Sequence, residues 1–419
     1  MKKQKIQAHN PLLWGTIGYL FLFIFRPFEY WEWIGAYHIE RIYMIGLIVV
    51  LIFSSGTGYK HHPVVSVLLS FFGVMCFSIL IAYRPDKAWD QVWEYFKLLV
   101  LFFTIIFTVR TKEDFTNLVI AFLAITGLYM GKSLWEFLFH DHHVYRMGIK
   151  RLIGIDITYG DPNTFSATIL YSLPFAVALW KTTPSNRIKW GVIGYLILAM
   201  TCISLTGSRA GYVSFLFFLL LLWIRGKMKV LGALGIVLVL SIGWYSMPET
   251  YQKRFETIYD SSINQSAQES AEGRIEGLKN GIKLFKLSPV WGWGADNFPF
   301  AVKVIGVDDE MRSHNLYGQL LAELGVLGVI PMALLCILIF RTPGKILRQD
   351  KTLKKNGDML YQAAIACSNT LLLLLFQGNF GHNLYRYTWI LISAITVLAA
   401  YLSTQDAYHP VPKIVDNHS

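Results

Sequence analysis

The sequence predicts an all-α, polytopic integral membrane protein of about twelve transmembrane helices, with one long outer loop that contains short helices. Three observations predict it. Of 419 residues, 54% are hydrophobic and only 16% are charged, and mean hydropathy is +0.43; soluble domains carry about 25% charged residues. A soluble chain of this length cannot hide so much apolar surface in one or two cores, which excludes a soluble enzyme, a disordered chain and a disulfide scaffold. Twelve segments stay apolar for about the length a bilayer requires, and Lys and Arg recur in alternate short loops.

The first segment, 10–26, follows Met1-Lys2-Lys3-Gln4-Lys5 and ends in Arg26-Pro27. No small-x-small cleavage site follows it, so it reads as a retained helix and not as a signal peptide. The next segments are 41–56, 63–83, 92–109 with Glu94 and Lys97, and 115–138 with Lys132. After an intermediate loop, about His140–Pro162, come 163–180, 189–206, 209–225 and 229–247; the short Thr206-Gly207-Ser208 link implies a tight helical hairpin. The last three are 316–340, 359–378 and 386–403. With the N-terminus in the cytoplasm, the inward loops include the basic stretches Arg110–Lys112, Lys181–Lys189, Arg225–Lys229 and Arg341–Lys355. Twelve crossings return the C-terminus inside, where the polar tail 404–419 is expected to be disordered. Residues 1–419 thus read as a single transmembrane domain.

The long loop, 248–313, faces outward. Loops of this length in compact proteins are usually functional or disordered. Ser270-Ala271-Glu272 leads into Ile275, Leu278, Ile282 and Phe285, which share one helical face and would rest on the membrane–water boundary. Trp291 and Trp293 follow among glycines, where an aromatic belt would sit. The two halves of the chain show no repeat, unlike those of many transporters.

The net charge of +11 belongs to membrane anchoring and not to nucleic acid, because no basic soluble domain exists to bind one. Cys76, Cys202, Cys336 and Cys367 lie in apolar segments without paired spacing and read as small core residues. No G-x-x-x-x-G-K-[ST], H-E-x-x-H or C-x-x-C occurs; Gly127–Ser133 is one residue short of the first and sits in an apolar helix. Energy must therefore come from a gradient or an activated substrate. His140-Asp141-His142-His143 is the most metal-like cluster, but adjacent ligands in a loop rarely close a site, and no metal is expected.

Arginine and histidine carry the remaining chemistry. Arg209, in Thr206-Gly207-Ser208-Arg209-Ala210-Gly211, either snorkels to lipid phosphate or is held by the tight turn to grip a diphosphate with its fork of donors. Arg274 lies in the long loop. Arg312-Ser313-His314-Asn315 opens the tenth helix and runs on to Gln319 and Glu323. His314 titrates near neutrality and can take a proton from a hydroxyl. Glu323, about two turns into that helix, is functional or else a buried partner for Lys97, Lys132 or a backbone group.

Three stretches together resemble the O-antigen ligase and O-antigen polymerase superfamily of bacterial envelopes: Gly207-Ser208-Arg209-Ala210-Gly211; the long loop with Arg274 ahead of Ser288-Pro289-Val290-Trp291-Gly292-Trp293-Gly294; and Ser313-His314-Asn315 followed by Glu323-Leu324-Gly325-Val326-Leu327-Gly328. Asp161-Pro162-Asn163 also fits the pattern. The resemblance implies a GT-C-like glycosyltransferase of the bacterial inner membrane that needs neither nucleotide sugar nor metal, and no other cofactor. Its donor would be a glycan on undecaprenyl diphosphate at the periplasmic face, and its acceptor a sugar hydroxyl, such as that of a lipid A core. His314 would be the general base, and Arg209 and Arg274 would hold the diphosphate, with Arg254 or Arg312 as alternatives to Arg274. Arg312, Asn315, Glu323, Asp161 and Asn163 would support, and Trp291 or Trp293 would pack on sugar rings or anchor at the interface. O-antigen ligases, O-antigen or exopolysaccharide chain polymerases and protein O-oligosaccharyltransferases share the pattern. Glu29, Glu32 and Glu40 depart from it, because a metal-using glycosyltransferase could place acids there. The rivals are a secondary transporter, supported by Lys97, Lys132 and Glu323, and a non-catalytic envelope scaffold.

Overall fold

The computed structural model describes residues 10–54, 61–146, 148–158, 160–245, 249–256, 265–307, 312–349 and 357–408. In chain order these form α1 (Pro11–Phe25), α2 (Pro27–Tyr30), α3 (Glu32–Ala36), α4 (Ile39–Phe53), α5 (Pro63–Ser78), α6 (Pro85–Thr108), α7 (Lys112–Phe139), β1 (His143–Arg146) and β2 (Ile149–Leu152). Then come α8 (Pro162–Thr182), α9 (Asn186–Thr206), α10 (Arg209–Arg225), α11 (Lys229–Tyr245), α12 (Glu249–Glu256), α13 (Gln265–Leu287), α14 (Phe298–Ala301), α15 (Leu316–Gln349), α16 (Met359–Gln377) and α17 (Tyr387–Tyr408).

Each of the twelve apolar segments falls on a helix, and eight helices among the described residues are long and apolar enough to cross a membrane. The chain is an all-α polytopic membrane protein. Of the other four, α4, α10 and α11 have only 15, 17 and 17 residues, and α8 carries Asn163, Ser166, Thr168 and Ser172 among its apolar residues. Proline at the first position starts α1, α2, α5, α6 and α8, where its missing N–H costs nothing. A Thr111–Asp114 capping box starts α7. The last helix runs to Tyr408 and so takes in 404–408 of the tail expected to be disordered, because the helix continues past the apolar segment; 409–419 lie outside the described residues.

Among the described residues, one β-hairpin departs from the helical pattern. The loop after α7 holds an antiparallel hairpin in which His143 faces Leu152 and Arg146 faces Ile149. Gly148, with φ +77, supplies the left-handed turn residue. Four-residue strands are too short for an alternating pattern to show in the sequence.

The helices alternate in direction, so the chain has two ends. One end gathers the C-termini of α1, α5, α7, α9 and α16, the N-termini of α8, α10, α15 and α17, and the hairpin. Cross-links tie this end together. Glu29 accepts from the backbone N–H groups of Ile157 and Thr158 at 2.8 and 3.0 Å, Ala295 donates to Ser78, and Leu316 donates to the Gly378 carbonyl at 2.7 Å. At the other end, Asn10 donates to Thr108 and Lys112 pairs with Asp358.

Charges inside the helices are satisfied locally. Lys97 is buried and pairs with Glu94 at 2.8 Å and Glu40 at 3.8 Å, and Lys132 pairs with Glu136 one turn away. Neither lysine reaches Glu323; of the buried partners expected for it, the backbone group is found, the Asp296 N–H at 3.0 Å, and Tyr385 at 2.5 Å and Gln319 at 3.3 Å donate to it as well. Glu29 is taken up by Arg26 and Thr158, and the side chain of Glu32 lies outside the described residues.

α15 is broken at Gly325, whose φ of +54 and ψ of −156 are not helical. Backbone freed inside a membrane helix must find partners elsewhere. The segment 289–294 supplies them: Trp293 and Gly294 donate to the carbonyls of Ala322 and Glu323, and Val326 and Leu327 donate to those of Pro289 and Val290. This approach requires glycine. A Cβ on Gly292 (φ +74) would lie 2.6 Å from the Leu324 nitrogen, and one on Gly325 would lie 2.6 Å from the Val290 oxygen. The Ser288–Gly294 and Glu323–Gly328 motifs are thus two halves of one backbone junction.

α13 packs on the first turns of α15 through its glycines. A Cβ on Gly281 would meet the Gly318 carbonyl carbon at 2.7 Å, and one on Gly277 would meet that of Ser313 at 2.7 Å. The face expected to rest on a membrane surface differs from this one: Ile275 and Ile282 are exposed, while Asn280 and Leu284 are buried.

Candidate active site

A cavity of about 700 Å³ opens at the end of the bundle that carries α13. Its wall includes Arg26, Asp161, Asn163, Asp296, Arg312, His314, Gln319, His382, Tyr385 and Arg386. Of the residues expected from the sequence, Asp161, Asn163, Arg312, His314 and Gln319 line it, gathered from α8, α15 and the turns before them, whereas Arg209 and Arg274 are not part of its lining.

Each sequence motif has a local reason. Gly207 ends α9 in the left-handed conformation (φ +55), and Ser208 caps α10 by accepting from the Gly211 N–H at 3.1 Å. Gly211 lets α10 approach α8, because a Cβ there would lie 2.7 Å from the Ser166 hydroxyl. Asp161 caps α8 by accepting from Asn163 and Thr164. Asn163 then binds across to α10: its Oδ1 accepts from Ser208 at 2.8 Å and from Arg151 at 3.2 Å. The Asp161–Asn163 turn therefore fixes the turn that presents Arg209.

His314 is held the same way. Ser313 donates to the Asn315 carbonyl, and the Asn315 side chain accepts from the N–H groups of Tyr317 and Gly318 at 3.0 Å each, which starts α15. His314 between them has a φ of +44. Five described non-glycine residues have positive φ, and three of them, Arg26, Asp296 and His314, line this cavity. Such strain persists only where surrounding structure over-determines it, and it concentrates at functional sites.

The site is strongly basic. Arg274, on α13, lies over the Phe380 ring at 5.6 Å. Burial, and then the nearby charge of Arg209, lower the Arg274 pKa to about 10. Burial, followed by the charges of Arg274 and Arg312, lowers the His314 pKa below its usual value, with Asp161 opposing. Arg274 thus feels the charge of Arg209, and His314 feels those of Arg274 and Arg312; an anion among them would relieve the repulsion.

Four wall residues carried no signal in the sequence. His382 lies with its ring 5.4 Å from that of His314, and its Nε2 accepts from Arg312 at 3.3 Å. Burial, then His314, Arg312 and Arg386, push the His382 pKa down to about 3. Arg386 donates to the Thr164 carbonyl at 3.3 Å. Arg26 reads from sequence only as the end of the first helix.

Trp293 and Trp291 stand away from the cavity. Trp293 donates from its indole to the Leu284 carbonyl at 3.0 Å and packs beside Leu284, Phe298 and Val302. Trp291 is 48% exposed against Phe77. The position of Arg254 has no described side chain. Among the described residues, no group of three or more His, Cys, Asp or Glu comes together to hold a metal; in the His140–His143 cluster, His140 turns to Glu136 and His142 to the Gly154 carbonyl. A second cavity, of about 640 Å³, lies at the opposite end beside Lys181 and Arg225 and contains none of these residues.

Residues 194–333 match the family model for O-antigen ligase. The match covers about a third of the chain, takes in Arg209, Arg274, Arg312 and His314, and bears out the resemblance to the O-antigen ligase and polymerase superfamily. No curated protein matches the chain significantly.

Proposed function

Proceeding from the O-antigen ligase match, we propose that the chain transfers a glycan from undecaprenyl diphosphate to a sugar hydroxyl at the periplasmic face of a bacterial inner membrane. The match supports a membrane glycan-processing enzyme of the ligase or polymerase type. One observation carries the finer reading: a strained, hydrogen-bond-framed His314 on the wall of a cavity ringed by arginines.

In this reading Arg274 and Arg209 bind the diphosphate, with Arg312, Arg386 and Arg26 along the cavity wall. The acceptor oxygen attacks the anomeric carbon as the bond from that carbon to the diphosphate oxygen breaks. His314 takes the hydroxyl proton, and one displacement inverts the anomeric centre. A lowered histidine pKa keeps the ring unprotonated at neutral pH, as a base requires. The guanidinium groups stabilise charge developing on the leaving diphosphate, the role a divalent cation plays elsewhere. The loop charges support this sidedness, because Arg110, Lys181, Lys189, Arg225 and Lys229 lie at the end opposite the cavity. The transporter reading loses support, since Lys97, Lys132 and Glu323 are paired separately.

The test is transfer by purified protein from undecaprenyl-diphosphate-linked oligosaccharide, with chelator present. Product from wild type that falls by about 10²-fold or more in both His314→Ala and Arg209→Ala is expected. The acceptor used separates a ligase, which takes a distinct acceptor such as a lipid A core, from a polymerase, which takes a second lipid-linked glycan. Equal product from wild type and both variants would remove the site assignment.

A further inference from the structure

The cavity holds a carboxylate that the transfer reading leaves unused. Asp296 sits in the turn after Gly294, with a φ of +54. Aspartate tolerates this left-handed conformation less well than glycine does. The turn is clamped on three sides. The Asp296 N–H donates to Glu323 at 3.0 Å, and Ala295 donates to Ser78 at 3.2 Å. Asn297 accepts from the Arg84 N–H at 2.5 Å and donates to the carbonyls of Arg84 and Ala295. Glu323 is itself buried and braced by Tyr385 and Gln319.

All this holds the Asp296 backbone, and none of it uses the side chain. Among the described residues the carboxylate makes no hydrogen bond and no ion pair, although the residue is half-buried in the cavity wall. Burial, more than any charge, holds its pKa above the usual carboxylate range; Arg312 and Lys87 attract it through space, Asp90 repels it, and it repels the buried Glu323 carboxylate in turn. A turn that needed only a left-handed residue would be built more cheaply with glycine. On the cavity wall, a carboxylate that no protein donor engages is free to accept hydrogen bonds from a ligand. A carboxylate accepts only, at about four lone-pair sites, and vicinal sugar hydroxyls are neutral donors in closely spaced pairs.

We propose that the strained Asp296 turn presents its carboxylate to hydroxyl groups of a sugar ring, and so forms a glycan subsite in the same cavity as the arginines. This rests on the glycan-transfer reading. The sugar belongs either to the donor or to the acceptor, and the chemistry of recognition is the same.

Full-length protein in detergent provides the test. Binding of undecaprenyl diphosphate is compared with that of its N-acetylglucosamine-bearing form, and KM is measured for a free oligosaccharide acceptor. Wild type, Asp296→Asn and Asp296→Gly are compared, with unfolding temperature recorded for each. The expected result is a loss of about tenfold or more on one sugar-bearing substrate, with bare undecaprenyl diphosphate bound as by wild type. Loss on the lipid-linked sugar assigns the subsite to the donor, and loss on the oligosaccharide assigns it to the acceptor. Asp296→Gly is expected to unfold at or above the wild-type temperature, because it sheds strain. Equal loss on bare and sugar-bearing lipid, no loss on any substrate, or a lowered unfolding temperature in Asp296→Gly would overturn the inference. Failure of wild type to bind either lipid would instead count against the transfer reading.

Discussion

Replacing Gly277 by alanine tests whether α13 sets the geometry of the site. A methyl group there would lie 2.7 Å from the Ser313 carbonyl carbon, with the carbonyl oxygen nearer still. Ordinary contact begins at 3.4 Å, so α13 must withdraw by on the order of 1 Å from the turn that holds His314. Arg274 is one turn away on the same helix and moves with it. A misplacement of about 1 Å can cost about 10²-fold in rate, and overpacking costs roughly 1–3 kcal/mol of stability. Gly273→Ala is the control. It makes the same change on the same helix, but nothing lies within 4 Å of the new Cβ. There the substitution should be neutral or stabilise by about 0.5–1 kcal/mol. The assay is glycan transfer together with undecaprenyl diphosphate binding. If Gly277→Ala retains transfer within about threefold of Gly273→Ala, the close packing of α13 on the Ser313 turn does not position Arg274.

Three further outcomes follow from the same geometry. Asn163→Ala deprives Ser208 and Arg151 of a shared acceptor; a cost of about 1–3 kcal/mol is expected in unfolding, with weaker diphosphate binding because the Arg209 turn is released. Gly292→Ala forces a left-handed alanine against the Leu324 nitrogen, and the resulting loss of folded protein should be visible by size-exclusion chromatography, while Trp291→Ala leaves the profile unchanged. His382 takes its proton more readily unfolded than folded. Its contribution is therefore neutral above about pH 6.5 and becomes destabilising as pH falls from there toward 3, reaching at most about 2 kcal/mol at pH 5. Unfolding temperatures at pH 5 and 7 should converge in His382→Gln relative to wild type, and an unchanged gap would refute the assignment.

The helices were legible because hydropathy is a local property: a run such as 63–83 announces a span wherever it packs. The junction between 289–294 and the break at Gly325 was not legible. Its parts were visible as Gly-Trp-Gly and Glu-Leu-Gly motifs, but their pairing is a tertiary fact. The site divided in the same way. Arg209 and His314 stood out because glycine or short polar residues flank them and fix a turn. Arg26, Arg386, His382 and Asp296 did not, because each reaches the cavity only through packing of distant helices, and a positive φ at a non-glycine residue leaves no trace in composition. Trp293 misled for the opposite reason: its neighbours suggested an interface, whereas its indole is committed to the Leu284 carbonyl.

The backbone junction at Gly325 also bears on how such proteins can be recombined. The segment 248–313 looks like an interchangeable module, bounded by helices and carrying Arg274 and Asp296. Its residues 289–294, however, complete the hydrogen bonding of a helix that lies beyond its boundary. A chimera that exchanged only 248–313 would leave four backbone partners mismatched across the graft. One that carried 316–328 along would transplant the loop together with the half of the junction that receives it.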